Sequence, residues 1–104
     1  MARPTILTEE ELSEHLKDIP LWRLDGATIV REIPTSNFAA AVGLLNAIAI
    51  LAEQADHHPD MLIYGWNKLR ITLSTHDQGG LTIFDIRLAK SVDALNFDTM
   101  HPTP

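Results

Sequence analysis

Residues 38–52, Phe-Ala-Ala-Ala-Val-Gly-Leu-Leu-Asn-Ala-Ile-Ala-Ile-Leu-Ala, constrain this chain more than any other stretch. They form its only long apolar run, interrupted by Gly43 and Asn46, and a helix wound through them is apolar nearly all round. Such a helix must be covered on more than one side. Its 15 residues fall short of a membrane span, which needs about 20, so the run predicts a buried helix and no membrane partner. A sheet can cover one side. A chain of 104 residues has little left to cover the other, which predicts a dimer or tetramer built partly through a helix over 37–56.

The flanking residues set the remaining elements. Thr8 and Glu11 have capping-box spacing, with Leu7 and Leu12 at the staple positions, so a short helix runs to about Asp18 and stops at Pro20. Leu21–Leu24 and Thr28–Ile33 read as paired strands joined at Asp25-Gly26. Pro34-Thr35-Ser36 breaks the second strand and supplies an N-cap for the apolar helix, which Pro59 closes. A second hairpin is expected over 61–65 and 68–75, turning at Trp66-Asn67. In its later strand Leu69, Ile71 and Leu73 alternate with Lys68, Arg70, Thr72 and Ser74, the pattern of an antiparallel sheet with one wet face. Thr82 and Asp85 repeat the capping box, with Leu81 and Ile86 as its staple, and open a helix to about Asn96. Residues 97–104 read as a frayed tail. The expectation is one α+β domain over 1–104, with its core over about 8–97. It is a four-stranded antiparallel sheet with three helices on one face, in the order α-β-β-α-β-β-α.

Charge and cysteine content exclude several classes. A formal net charge of −6 argues against a nucleic-acid partner, which calls for a basic surplus. With no cysteine there is neither a disulfide framework nor a thiolate zinc site. The opening Met1-Ala2-Arg3-Pro4-Thr5 lacks the basic-then-apolar pattern of a signal peptide, so a cytoplasmic location is expected.

The chemistry concentrates in residues 53–85. They run Glu53-x-x-x-His57-His58-Pro59, then Trp66, then Ser74-Thr75-His76, then Thr82-x-x-Asp85. His57 and His58 precede one strand of the second hairpin and His76 follows the other. Antiparallel pairing brings such positions together, so the three imidazoles are expected in one cleft. Glu53, Asp56 and the Thr82–Asp85 cap lie near enough in sequence to join them. Imidazole titrates near neutral pH, and several of them around a cleft suit a reaction with two proton transfers. Trp66 and Tyr64 are candidates for an apolar wall against a flat ring. Each residue also has a plain structural reading: adjacent histidines at a helix end as surface groups, Asp85 as a cap, Trp22 as core, His15 and His101 as solvated side chains. A zinc site from the three histidines and a carboxylate is disfavoured, because adjacent histidines point apart on most backbones.

This set of residues resembles the pterin-4a-carbinolamine dehydratase family. The family pattern is a charged residue, three residues, His-His-Pro, five or six residues, an aromatic, nine residues, His, and an Asp at least eight further on. Here Glu53, His57-His58-Pro59, Trp66, His76 and Asp85 fill it, and the resemblance extends over about residues 8–97. It implies dehydration of 4a-hydroxytetrahydrobiopterin to quinonoid dihydropterin, without metal or organic cofactor. It implies dimers, or tetramers through a bundle of second helices, and an aromatic amino acid hydroxylase as a functional partner. His57, His58 and His76 match the family's active-site, catalytic histidines; of these, His57 and His76 are expected to act as the acid–base pair and His58 to bind and orient the pterin. Glu53 and Asp85 match supporting positions, and Thr75 a weaker substrate contact. Some relatives are instead transcription-factor dimerisation cofactors or carboxylase assembly factors, so a non-catalytic binding module is the alternative. Two departures stand out: Met61 replaces an aromatic found in some members, and the longer spacing before Trp66 predicts a bulge near Gly65.

Overall fold

The computed structural model describes residues 4–95. In them the chain runs α1 (Glu9–Leu16), β1 (Arg23–Asp25), β2 (Thr28–Pro34), α2 (Phe38–Ala55), β3 (Asp60–Tyr64), β4 (Lys68–Leu73), a 3₁₀ turn (His76–Gln78) and α3 (Ile83–Asp93). The four strands form one antiparallel sheet in the order β1-β2-β4-β3, so the fold is α+β with the expected order of elements. The expected tail, with His101, lies outside the described residues.

Alternation positions the core. Ile29 and Ile33 of β2 and Leu69, Ile71 and Leu73 of β4 are buried on the helix side, where they meet Leu44, Ile48 and Ala52 of α2 and Ile86, Leu88, Ala89 and Val92 of α3. Leu12 and Leu16 of α1 pack half-buried against the same cluster. Trp22 is buried as expected, and its indole N–H donates to Asp93 Oδ1 at 2.9 Å. Arg31 interrupts the apolar face of β2 and reaches the same carboxylate oxygen at 2.6 Å. A buried cation on a core face is tolerated because it is paired.

Local chemistry sets the element ends. Thr8 and Glu11 form the expected capping box, as do Thr82 and Asp85. The cap of α2 is Asn37, whose Oδ1 accepts the Ala40 N–H at 2.7 Å. Thr35 does not serve there; its hydroxyl donates towards the carbonyls of Asn37 and Asn67 and ties the start of α2 to the far hairpin. The first hairpin turns at Gly26-Ala27, one residue later than expected, because Asp25 still pairs with Thr28 and Gly26 supplies the positive φ of 60°. The expected bulge near Gly65 is absent. The β3–β4 register runs without a slip from Asp60↔Thr72 to Tyr64↔Lys68, and the extra residue sits in the turn, where Gly65 and Trp66 both have positive φ.

Helix α2 is long and apolar enough by length and composition to cross a membrane. Its Ala41, Leu44, Ile48 and Ala52 are instead buried against the sheet and α3. Leu45 and Leu51 pack half-buried against the same core, while Phe38 is 57% exposed and Ile50 60% in the monomer.

Candidate active site

Helix α2 ends by a mechanism that separates the adjacent histidines. Asp56 takes the left-handed conformation, with φ 50° and ψ 42°, and the His57 N–H reaches back to the Ala52 carbonyl at 3.1 Å. This is the Schellman arrangement, with Asp at the position usually held by Gly. The turn sends His57 inward, where it is 9% exposed, while His58 stays at the surface.

His57 meets a carboxylate from α3. Its Nε2 lies 2.6 Å from Oδ1 of Asp85, which is wholly buried. A buried carboxylate without partners is strongly destabilising; here each oxygen has a hydrogen-bond partner. Oδ2 accepts the Thr75 hydroxyl at 2.8 Å and the Thr82 backbone N–H at 2.9 Å. The Thr82 hydroxyl stands 2.8 Å from that of Thr75 and accepts the Phe84 N–H at 3.2 Å. Asp85 therefore serves as helix cap and histidine partner at once. Phe84 closes one side, its ring edge-on to His57 with centroids 6.0 Å apart.

The other two histidines complete the cleft. Asp60 at the start of β3 pairs with Thr72 near the end of β4, so the segments before and after this hairpin lie side by side. A cleft of about 210 Å³ is lined by Asp56, His57, His58, Ser74, Thr75, His76 and Asp77. His58 Nε2 pairs with Glu53 at the exposed rim. His76 opens the 3₁₀ turn, which is closed by Thr75 and Gly80 pairing backbone to backbone and by Gly79 at φ 75°. Among the described residues no hydrogen bond restrains the His76 ring, so it can turn towards a ligand.

The structure thus brings together His57, His58, His76, Asp56, Glu53, Thr75 and Asp85. It does not bring Trp66, which occupies the turn at the opposite end of the hairpin and is 63% exposed. The length of β3, roughly 13 Å at about 3.3 Å per residue, separates it from the cleft of its own chain. Tyr64 is likewise elsewhere. Its hydroxyl donates to Glu32 on the outer face of the sheet, and the Arg70 guanidinium lies over its ring at 4.8 Å. The aromatic against His57 is Phe84, and Met61 packs half-buried against the core. The Thr75 hydroxyl is engaged inward, so only its other atoms face the cleft. The sequence does not propose Asp77 or Phe84 as site residues, and it offers Ser74 only within the run Ser74-Thr75-His76. Phe84 sits inside the capping box, where spacing speaks of helix geometry alone. Among the described residues no three His, Asp or Glu side chains converge to hold one metal ion.

A small α+β protein with a buried carboxylate–imidazole pair opening onto a histidine-lined cleft carries the side chains that acid–base chemistry uses. The chain belongs to the pterin 4 alpha carbinolamine dehydratase family, whose model matches residues 5–95. It is 46% identical over 90 residues to a protein from Chloroflexus aggregans and 40% identical over 92 residues to one from Prochlorococcus marinus. Both are named provisionally as pterin-4-alpha-carbinolamine dehydratases; the matches cover 86% and 88% of this chain and 95% of each relative. Among solved structures it resembles a transcriptional coactivator/pterin dehydratase from Brucella melitensis, with TM-score 0.80 and 35% identity over 86% of this chain and 97% of that one. It also resembles a pterin dehydratase-like protein described as a RuBisCO assembly factor in the alpha-carboxysome. There the TM-score is 0.58 and the identity 26%, over 70% of this chain and 86% of that one.

Proposed function

We propose that this chain dehydrates a pterin-4a-carbinolamine, 4a-hydroxytetrahydrobiopterin, to the quinonoid dihydropterin by general acid–base catalysis. The observation that carries the reading is the buried Asp85–His57 pair facing a cleft that two further histidines share. A carboxylate that fixes the ring of a histidine at the wall of a cleft orients it for proton transfer. In the proposed reaction His57 removes the proton from the ring nitrogen next to C4a, and protonated His76 delivers one to the 4a-hydroxyl. The C–O bond breaks, water leaves, and a C=N bond forms. His57 and His76 end in each other's starting protonation states and re-equilibrate with solvent. No electron is exchanged, so the residues of the cleft suffice without a cofactor. His58, held by Glu53, binds and orients the bicyclic ring, with Asp56 beside it.

The exposed positions of α2 support a homo-oligomer. Ala39, Gly43, Asn46, Ile50 and Glu53 are all exposed and follow one another at intervals of four, three, four and three residues. That is the spacing of a coiled-coil seam. Dimer or tetramer formation through this face, a cytoplasmic location and functional coupling to an aromatic amino acid hydroxylase belong to the same proposal.

The second reading is a non-catalytic module, a transcription-factor dimerisation cofactor or carboxylase assembly factor. It is favoured by the roles named for the two structural relatives, a transcriptional coactivator/pterin dehydratase and a RuBisCO assembly factor. The two readings are separated by following 4a-hydroxytetrahydropterin loss spectroscopically, with and without a chelator. Acceleration that survives the chelator supports the dehydratase; a rate equal to that of buffer supports the module.

A further inference from the structure

The hydrogen bonds behind His57 fix more than the position of its ring. The Thr75 hydroxyl donates to Asp85 Oδ2 at 2.8 Å, so the proton between the two threonines comes from Thr82, whose oxygen lies 2.8 Å from that of Thr75. The Thr82 backbone N–H donates to the same Oδ2 at 2.9 Å. One carboxylate oxygen thus receives two donors, which engage both of its lone pairs and leave Oδ2 without a proton of its own. The 2.6 Å contact between Oδ1 and His57 Nε2 holds one proton, and the atom that carries it fixes the tautomer of the ring.

We propose that Thr75 and Thr82 are positioning residues that set the tautomer of His57. Two hydroxyls in series supply a donor to Oδ2, Oδ1 stays the acceptor of the His57 Nε2 proton, and Nδ1 is left with the lone pair that accepts a proton. Without the Thr75 hydroxyl Oδ2 loses a donor, and the competing arrangement is the acid, with the shared proton on Oδ1. That acid donates to Nε2 and leaves the ring proton on Nδ1, so the free base no longer faces away from Asp85. Sequence spacing gives Thr82 a simpler part, the cap of α3, and it does both: its oxygen accepts from Phe84 while its proton points to Thr75.

The catalytic consequence rests on the dehydratase reading; the tautomer does not. ¹⁵N spectra of the intact protein, recorded where the histidines are neutral, report it directly. The wild type is expected to show His57 with a pyrrole-type Nε2 and a pyridine-type Nδ1. Thr75→Val keeps the side-chain shape and removes the hydroxyl. With an unchanged circular dichroism spectrum it is expected to give a mixed or reversed tautomer and a kcat lower by about 10-fold or more, with KM within about threefold. Thr75→Ser restores both. Wild-type His57 protonated on Nδ1 overturns the proposal whatever the variants do, as does Thr75→Val with the wild-type tautomer and kcat. A wild type without dehydratase activity, but with the Nε2–H tautomer and its reversal in Thr75→Val, removes the activity reading and upholds the positioning role.

Discussion

His57 and Asp85, 28 residues apart in the chain, meet at 2.6 Å through a helix that ends and a helix that begins at the same point. The left-handed Asp56 that terminates α2 aims the imidazole, and the capping box that starts α3 aims the carboxylate. Two secondary-structure ends thereby share one hydrogen-bond geometry, so a change in either end reaches the site.

Asp85→Asn tests that pair. The Thr75 hydroxyl and the Thr82 N–H both need an acceptor, so the Asn oxygen takes the Oδ2 place and its NH₂ faces His57. That donor demands a bare Nε2 and moves the ring proton to Nδ1. The expected result is a loss in kcat of about 10²-fold or more with little change in KM, as when a triad aspartate loses its charge. Steady-state kinetics on the folded variant check it.

His76→Ala and His58→Ala should separate chemistry from binding. Both side chains are exposed, so melting should move by no more than about 0.5 kcal/mol. His76→Ala is expected to lower kcat by about 10²-fold, and His58→Ala to raise KM more than it lowers kcat. The reverse pattern would exchange their roles.

Ile50→Glu should shift the protein to a smaller species in size-exclusion chromatography without unfolding it, because Ile50 is 60% exposed in the monomer. Ile48→Glu is no test of the interface. Ile48 is wholly buried, and an unpaired charge there unfolds the domain. An unmoved elution volume for Ile50→Glu would remove α2 from the interface.

Asp56→Gly should raise stability and lower activity together. Gly removes the cost of a left-handed non-glycine residue, roughly 1 kcal/mol, which corresponds to about 4–8 °C in Tm for a domain of this size. The same change takes a carboxylate from the cleft. Thermal melts and kinetics on one preparation read both effects.

Glu32 supplies a pH test remote from the site. The Tyr64 hydroxyl, then Arg70 and Arg23, hold its carboxyl below the ordinary 4.5. A depressed native value means the stabilisation is complete above 4.5 and fades as pH falls through the lower native value. The Tm difference between wild type and Glu32→Gln should therefore be constant from neutral pH down to about 5 and shrink below it. A constant difference at all pH values would show that the charge does not matter.

Much of the fold was legible because it rests on local signals. Both capping boxes, the alternation of 68–74 and the apolar α2 each follow from short-range rules, and the pairing of β3 with β4 gathers the histidines. Trp66 was misplaced because motif spacing counts residues and not distance; the turn carries it to the far end of the hairpin. Asp85 was legible only as a cap with a supporting role. That its carboxylate is wholly buried and shared with His57 depends on how α3 packs against the end of α2, which no local pattern reports.

The most direct measurement is the stopped-flow rate of loss of freshly generated 4a-hydroxytetrahydropterin, run in parallel for wild type, His57→Ala and His76→Ala. The account predicts strong acceleration by the wild type and a reduction of about 10²-fold in each variant. Variants as fast as the wild type, or a wild type no faster than buffer, would contradict it.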